Sequence, residues 1–279
     1  MQQKIALRVA YLGTDYFGFQ RQPNVPTIEG ELLKALKSCH LLTSPQEAHY
    51  AAAGRTDKGV NAFEQTIAFF PKKEVILPAI NSFLPKNIRV WALAKVSESF
   101  QPYFSSTQRT YAYFILNSNL DIEAMQNACK ILEGKHDFAN FAKKDKARSI
   151  ETVRELEELK IENFTYSTLK IGFKARGFLW EQCRRIASHL LQIGLQTKSL
   201  DETWALLSRP VTIRPSPLPA EFLMLEEIKY PEINFSVCQK TIEDFCKNLE
   251  DRLATLFTKS ALVKYFLQKA QGYGNSLGT

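Results

Sequence analysis

Ala53-Gly54-Arg55-Thr56-Asp57-Lys58-Gly59-Val60-Asn61-Ala62 is the densest polar stretch of the chain, with one acid set between two cations and bracketed by two glycines. Glycine tolerates backbone dihedrals that other residues avoid, so Gly54 and Gly59 mark a tight loop. Arg55 and Lys58 stand close enough to favour the ionised form of Asp57. Two readings are open at this point. Asp57 is an anionic nucleophile or base presented by a loop, or the segment is a charged turn whose acid is satisfied by its own arginine and lysine.

On the N-terminal side, residues 4–12 place Ile5, Leu7, Val9 and Tyr11 on one side and Arg8 on the other, the period of a half-buried strand. Thr27 can cap a helix in which Ile28, Leu32 and Leu36 recur every fourth residue, ending near Cys39. On the C-terminal side, Thr66 to Phe70 and Ile88 to Val96 have strand composition or period, and a short helix over Pro78 to Leu84 is stopped by Pro85. A second strand-helix-strand set begins at Arg109. In that strand Thr110, Ala112, Phe114 and Leu116 face one way, and Arg109, Tyr111, Tyr113 and Ile115 the other. Asp121 to Leu132 follows at helical spacing, Lys170 to Lys174 alternates, and Leu179, Cys183, Ile186, Leu190 and Ile193 form one stripe of a helix from Leu179 to Gly194. Pro210, Pro215, Pro217 and Pro219 stiffen a connector over 209–219 before a last strand around Phe222 to Ile228. Residues 238–270 read as one or two amphipathic helices. The repeated strand-helix-strand order hints at two similar halves.

Composition narrows the chemistry. The chain has 279 residues, 45% hydrophobic, which is enough for a sizeable core in one large domain or two coupled ones. No run approaches the roughly 18 apolar residues of a membrane span, and the first residues alternate instead of forming an apolar signal segment, so a soluble cytoplasmic protein is expected. The five scattered cysteines form no C-x-x-C pair, which fits a reducing compartment with neither a disulfide framework nor a zinc site. A formal net charge of +7 suits a polyanionic partner such as RNA or DNA. There is no G-x-G-x-x-G after a strand, no G-x-x-x-x-G-K-[ST], and no H-x-E with a later P-C-x-x-C, which argues against dehydrogenase, NTPase and zinc deaminase.

The loop around Asp57 resembles the signature of the TruA family of pseudouridine synthases, G-R-T-D-A-G-V-H-A. Upstream, Tyr11-Leu12-Gly13-Thr14-Asp15-Tyr16-Phe17-Gly18-Phe19-Gln20-Arg21-Gln22-Pro23 is similar to the family's Y-D-G-T-x-F-x-G-W-Q-x-Q. Downstream, Asn81 to Val90 resembles N-x-x-L-P-x-D-I-R-V, Gly134 to Phe138 resembles G-x-H-D-F, and Gly177-Phe178-Leu179-Trp180-Glu181-Gln182-Cys183-Arg184-Arg185 resembles G-F-L-x-x-M-V-R-N. The matches run in order over about residues 5–230. Lys58, Asn61, Phe19 and Glu29 depart from the bacterial pattern, and Lys58 is like the archaeal and eukaryotic relatives, whose choice of tRNA uridine can be broader or different.

The resemblance implies an α+β pseudouridine synthase fold: two similar halves, each an antiparallel sheet with helices on one face, around a central basic cleft. Residues 1–104 would carry the catalytic loop, 105–230 the active-site tyrosine and arginine, and 231–279 a helical extension. It gives Asp57 the catalytic role, by covalent attack or by proton abstraction at the ribose. It makes Arg184 the arginine paired with that acid and Tyr111 the ring that stacks on the uracil. Arg55 would steady the space that the everted nucleotide leaves, with Lys58 and Arg21 also contacting substrate. Tyr113 shares a strand face with Tyr111, and only the register of the motif separates them. The implied partners are tRNA, modified on the 3′ side of the anticodon stem-loop, and a second copy of the chain in a homodimer. No cofactor and no metal are implied. The alternatives are a non-catalytic tRNA-binding protein or chaperone on the same scaffold, or a synthase with a different tRNA site.

Overall fold

A computed structural model describes residues 3–144, 151–208 and 214–276. The first elements are β1 (Lys4–Tyr11), α1 (Ile28–Ser38), β2 (Ala51–Ala52), β3 (Asn61–Phe69), α2 (Leu77–Ser82) and β4 (Ile88–Val96). Next come β5 (Gln108–Leu116), α3 (Ile122–Leu132), β6 (Gly134–Asp137), β7 (Val153–Thr165), β8 (Thr168–Ala175) and α4 (Gln182–Gly194). The chain closes with α5 (Leu200–Ser208), β9 (Leu223–Lys229), β10 (Ser236–Val237) and α6 (Gln239–Ser276).

Local chemistry sets the expected elements where the sequence pattern places them. Thr27 caps α1 by accepting a hydrogen bond from the Gly30 amide at 3.2 Å, and Ile28, Leu32 and Leu36 are buried. Asp121 caps α3 through the Ala124 amide at 2.9 Å. All eight residues of β1 are buried, where alternation predicts a half-buried strand. The difference comes from Arg8. It ion-pairs with Glu64 at 3.1 Å, donates to the Ile228 carbonyl at 2.7 Å, and lies over Phe235 and Tyr230. Ala10, next to it on the strand, packs with Trp91, Ala92 and Phe245, so the segment after residue 229 covers the second side of the sheet.

The strands run β10-β4-β1-β3-β9-β5-β8-β7-β6 in one ten-stranded sheet, with β2 paired to β3. The architecture is α+β. Expectation gave each half its own antiparallel sheet, whereas here the two sets of strands are hydrogen-bonded into one. The joining strand is β9, which returns after the proline-rich connector and lies parallel to β3 at Asn61 and Ala62 and antiparallel to β5. One apolar core forms between α1, α2 and the β1–β3–β4 strands, and a second between α3, α4 and β5, β7 and β8. Within the expected connector, residues 209–213, Pro210 among them, lie outside the described residues.

Two differences from the sequence pattern have local causes, and the helical end of the chain takes the single-helix form of its expectation. Helix α4 starts at Gln182 rather than Leu179, because Glu181 takes a left-handed φ of 64°. Strand β7 escapes a period-two reading because a register shift between Leu156 and Glu158 breaks its alternation, so that Leu156 and Leu159, three apart, are both buried. The region after 238 is one helix, α6. Its Ile242, Phe245 and Leu249 pack on the body, and its later apolar residues are exposed. No helix among the described residues is long and apolar enough to cross a membrane.

Candidate active site

Asp57 sits in the wall of a cavity of about 590 Å³ where loops from both sets of strands meet. Its loop is held by close backbone contact. Phe19 donates its amide to the Thr56 carbonyl at 3.0 Å, and Gly18, at φ +96°, lies so near that a Cβ there would come within 3.0 Å of the same oxygen. Gly13 is tighter still: a Cβ would fall 2.1 Å from the Val60 carbonyl oxygen. The β1–α1 loop can therefore lie on the Asp57 loop only with glycine at these points. Thr56 shares a buried 2.8 Å hydrogen bond with the Tyr11 hydroxyl. Asn61 accepts from the Gly13 amide at 2.9 Å and donates to the carbonyls of Glu221 and Leu223, stitching the loop to β9.

The bland reading, in which Asp57 is answered by its own Arg55 and Lys58, is not what the loop does. The partner of Asp57 is Arg184, whose Nη2 donates to Oδ2 at 2.9 Å from the first turn of α4, 127 residues away in sequence. Oδ1 makes no hydrogen bond among the described residues. Arg184 is largely buried, and its fork is divided: Nη1 donates to the Leu218 carbonyl at 3.0 Å, while Nε is buried with no partner among the described residues. The pair is thus single-pronged on the carboxylate, and its direction is fixed by the second prong on the connector backbone.

Arg185, at the neighbouring position, turns elsewhere. It donates to Glu181 Oε2 at 3.1 and 2.6 Å and to the Pro215 carbonyl at 2.6 Å, so it is a part-buried, satisfied residue rather than a solvated one. Glu181 is one of two residues that sequence reasoning missed. Its carboxylate lies 3.5 Å from Arg184 Nη2, 2.6 Å from Arg185 Nη2 and 3.7 Å from Lys143 Nζ, so one acid orients the cations at the start of α4. Its left-handed backbone, unusual for glutamate, is the strained point at which chain direction changes into the helix. A helical stripe running from Leu179 hides that feature.

Tyr111 lines the cavity, with its ring edge-on to Phe178 at 5.2 Å. Burial pushes its phenol pKa up, with Cys183, Tyr11 and Asp57 adding in the same direction. Tyr113 is 1% exposed and donates to the Pro219 carbonyl at 2.9 Å in the second core. Two tyrosines on one strand thereby have different surroundings. Opposite the Thr110–Tyr111 step, β9 carries one extra residue, Glu226, and such a bulge changes the local twist beside a site.

Arg55 and Lys58 also line the cavity, both exposed. Arg55 makes no hydrogen bond or ion pair among the described residues, and Lys58 sets its ammonium 4.0 Å from the centre of the Phe17 ring. Arg21 is not in the lining. Its backbone amide donates to Glu29 Oε2 at 2.9 Å, and its guanidinium lies 3.9 Å from the same carboxylate. Arg109, which the sequence marks only as a strand residue, is buried at the cavity edge and donates to the carbonyls of Ala53, Tyr103 and Arg176, tying the Asp57 loop to the end of β8. The lining holds four cations, Arg55, Lys58, Arg109 and Arg184, against two acids, Asp57 and Glu181. The arrangement offers one carboxylate with a free oxygen, a neutral aromatic wall and a positive surround, which suits an anionic substrate with a planar base.

A family model described as tRNA pseudouridine synthase matches residues 128–231. A protein of Thermococcus kodakarensis named tRNA pseudouridine synthase A is 34% identical over 95% of this chain and 98% of its own length. Proteins of the same name are 36% identical in Pyrococcus horikoshii, over 93% of this chain and 97% of theirs, and 40% identical in Methanosarcina barkeri, over 71% and 73%. A solved Cbf5-Nop10-Gar1 complex superposes with a TM-score of 0.34 at 12% identity, over 67% of this chain and 45% of that one. On the near full-length identity to these archaeal proteins, the chain belongs to the tRNA pseudouridine synthase A family.

Proposed function

We propose that this isomerase converts uridine to pseudouridine in tRNA, on the 3′ side of the anticodon stem-loop, with Asp57 as the catalytic carboxylate. The observation that carries the reading is the Asp57–Arg184 pair at 2.9 Å beside Tyr111 in one cavity. In the reaction the bond from N1 to the ribose C1′ breaks, the uracil turns, and C5 bonds to C1′. The C5 proton leaves and N1 gains one, so the composition of the RNA is unchanged. Asp57 acts at the ribose, either by attacking C1′ or by taking a proton as the glycosidic bond breaks, and its unengaged Oδ1 is available for that step. Arg184 pairs with the carboxylate and aims it. Tyr111, a neutral phenol, stacks on the uracil and relays the C5 proton, giving its own hydroxyl proton to solvent water as it takes the one from C5.

A uridine inside a stem is beyond reach of the cavity, so the nucleotide must turn out of the helix. Arg55, exposed and unpartnered among the described residues, is suited to take up the vacated space. Lys58 contributes positive charge beside it, and Arg21 lies outside the lining in a second ring of contacts. The same reading includes a cytoplasmic homodimer. Support for a second copy comes from α6, where Leu253, Leu256, Val263 and Leu267 continue the stripe of Phe245 and Leu249 at 52–66% exposure. Light scattering should give twice the mass of one chain.

Asp57→Asn keeps shape and removes the negative charge. Pseudouridine, read by carbodiimide labelling of treated tRNA, should be lost while tRNA binding stays within about three-fold. Turnover equal to the native protein would refute the assignment. Binding without any pseudouridine from the native protein would favour the non-catalytic alternative.

A further inference from the structure

Phe17 and Trp180 belong to the lining of the cavity that holds Asp57, Phe17 from the β1–α1 loop and Trp180 from the turn before α4, on elements either side of β9. They stay 42% and 46% exposed. Each carries a lysine over its ring, Lys58 Nζ at 4.0 Å and Lys143 Nζ at 4.1 Å from the ring centres. Lys58 has no ion pair among the described residues, and Lys143 approaches Glu181 only at 3.7 Å.

A half-wet ring under an exposed ammonium gains little for folding, of order 0.5–1 kcal/mol. The same pair is well matched to a single-stranded nucleotide, whose base needs a π face and whose phosphate needs a cation. Eversion of a uridine creates two such nucleotides, since its 5′ and 3′ neighbours each lose a stacking partner. Tyr103, a third exposed ring of the lining, does not offer this. Its cation is Arg109, whose fork is already bound to three carbonyls and cannot turn to a phosphate.

We propose that Phe17 and Trp180 are stacking platforms for the two nucleotides flanking the everted uridine, with Lys58 and Lys143 neutralising the adjacent phosphates. The assignment rests on the uridine-isomerising reading above and adds to it the residues that hold the RNA open. Trp180→Ala, Trp180→Phe and Lys143→Gln separate a stacking role from a structural one. The measurement is single-turnover pseudouridine formation on full tRNA across tRNA concentration, repeated at several salt concentrations.

Trp180→Ala should raise the half-saturating tRNA concentration five-fold or more while the rate at saturation changes less than three-fold, and Trp180→Phe should restore it to within two-fold of native. Lys143→Gln should lower the slope of log affinity against log salt by about one. A loss smaller than five-fold in Trp180→Ala, or one that phenylalanine does not restore, overturns the platform. An unchanged salt slope in Lys143→Gln overturns the phosphate contact. Native protein that forms no pseudouridine in tRNA sinks the parent reading and this one with it. Native activity with an undisturbed Trp180→Ala sinks this one alone.

Discussion

At Arg184 a single side chain does two geometrically separate things, bonding Asp57 Oδ2 with one nitrogen and the Leu218 carbonyl with another. A lysine has the charge and only one point from which to donate, so Arg184→Lys must give up one partner or share poorly. We expect kcat to fall on the order of 10- to 100-fold, the range of one or two charged hydrogen bonds, with KM changed less. Arg185→Lys, which loosens bonds to Glu181 and Pro215 and does not touch Asp57, should leave kcat within about three-fold. Equal losses in the two variants would show that the aim of Arg184 is irrelevant. The tyrosines separate in the same way. Tyr111→Phe keeps the stacking ring and loses the hydroxyl in the cavity, so steady-state rates should drop. Tyr113→Phe strands the Pro219 carbonyl, a cost of about 1 kcal/mol that a melting curve would register as a shift of a few degrees with activity retained. Residue identity was legible in sequence only as far as the motif register reached. Asp57, Arg184 and Tyr111 could be named there, whereas Glu181 and Arg109 could not, because their importance lies in partners such as Lys143 and Ala53 that no local pattern brings near.

Among the elements, those governed by local chemistry were readable and those governed by pairing were not. Helix α1 announces itself through its Thr27 cap and apolar residues at every fourth position, and β4 through Ile88, Val90, Ala92, Ala94 and Val96 at period two, since both signals are intrinsic to the segment. Strand β7 carries a bulge and β9 borrows its place between β3 and β5 from strands over a hundred residues away, so neither the broken period nor the joined sheet has a local signature. Helix α4 also carries a consequence for pH. His189, 1% exposed beside Phe141, bonds Thr203 Oγ1 at 2.8 Å, and burial lowers its pKa from 6.5 to about 4. Between those values the unfolded chain binds a proton that the folded chain refuses. Stability therefore rises with pH through that window and is lost as pH falls from 6.5 toward 4, by up to about 3 kcal/mol. Urea unfolding at pH 7 and pH 4.5 should show the loss, and His189→Gln should flatten that part of the profile whatever its own stability. An unchanged slope in that variant would mean that other groups carry the acid sensitivity.

The whole molecule presents its chemistry at a junction. Two cores, each built under its own helices, meet through β9, and the cavity opens where the Asp57 loop of one set of strands faces the α4 start of the other. A site assembled this way reads a folded RNA through shape and phosphates, because its cations, Arg55, Lys58 over Phe17 and Lys143 over Trp180, carry no pattern for a base edge. The excess of seven positive charges acts at longer range and favours approach of a polyanion. Full tRNA should accordingly be modified at least ten-fold more efficiently, in kcat/KM, than an isolated anticodon stem-loop of identical sequence. Affinity should also drop steeply with salt: six phosphate contacts would cost about three orders of magnitude between 50 and 200 mM. The two substrates separate charge from shape. If the stem-loop matches full tRNA while both respond to salt, local phosphates suffice and the extended surface is idle. If the salt response is shallow for both, recognition lies in the pocket around Tyr111, and the positive surround serves something other than RNA. Only a steep response with a clear preference for full tRNA fits recognition of a whole folded RNA by a cavity lined from both sets of strands.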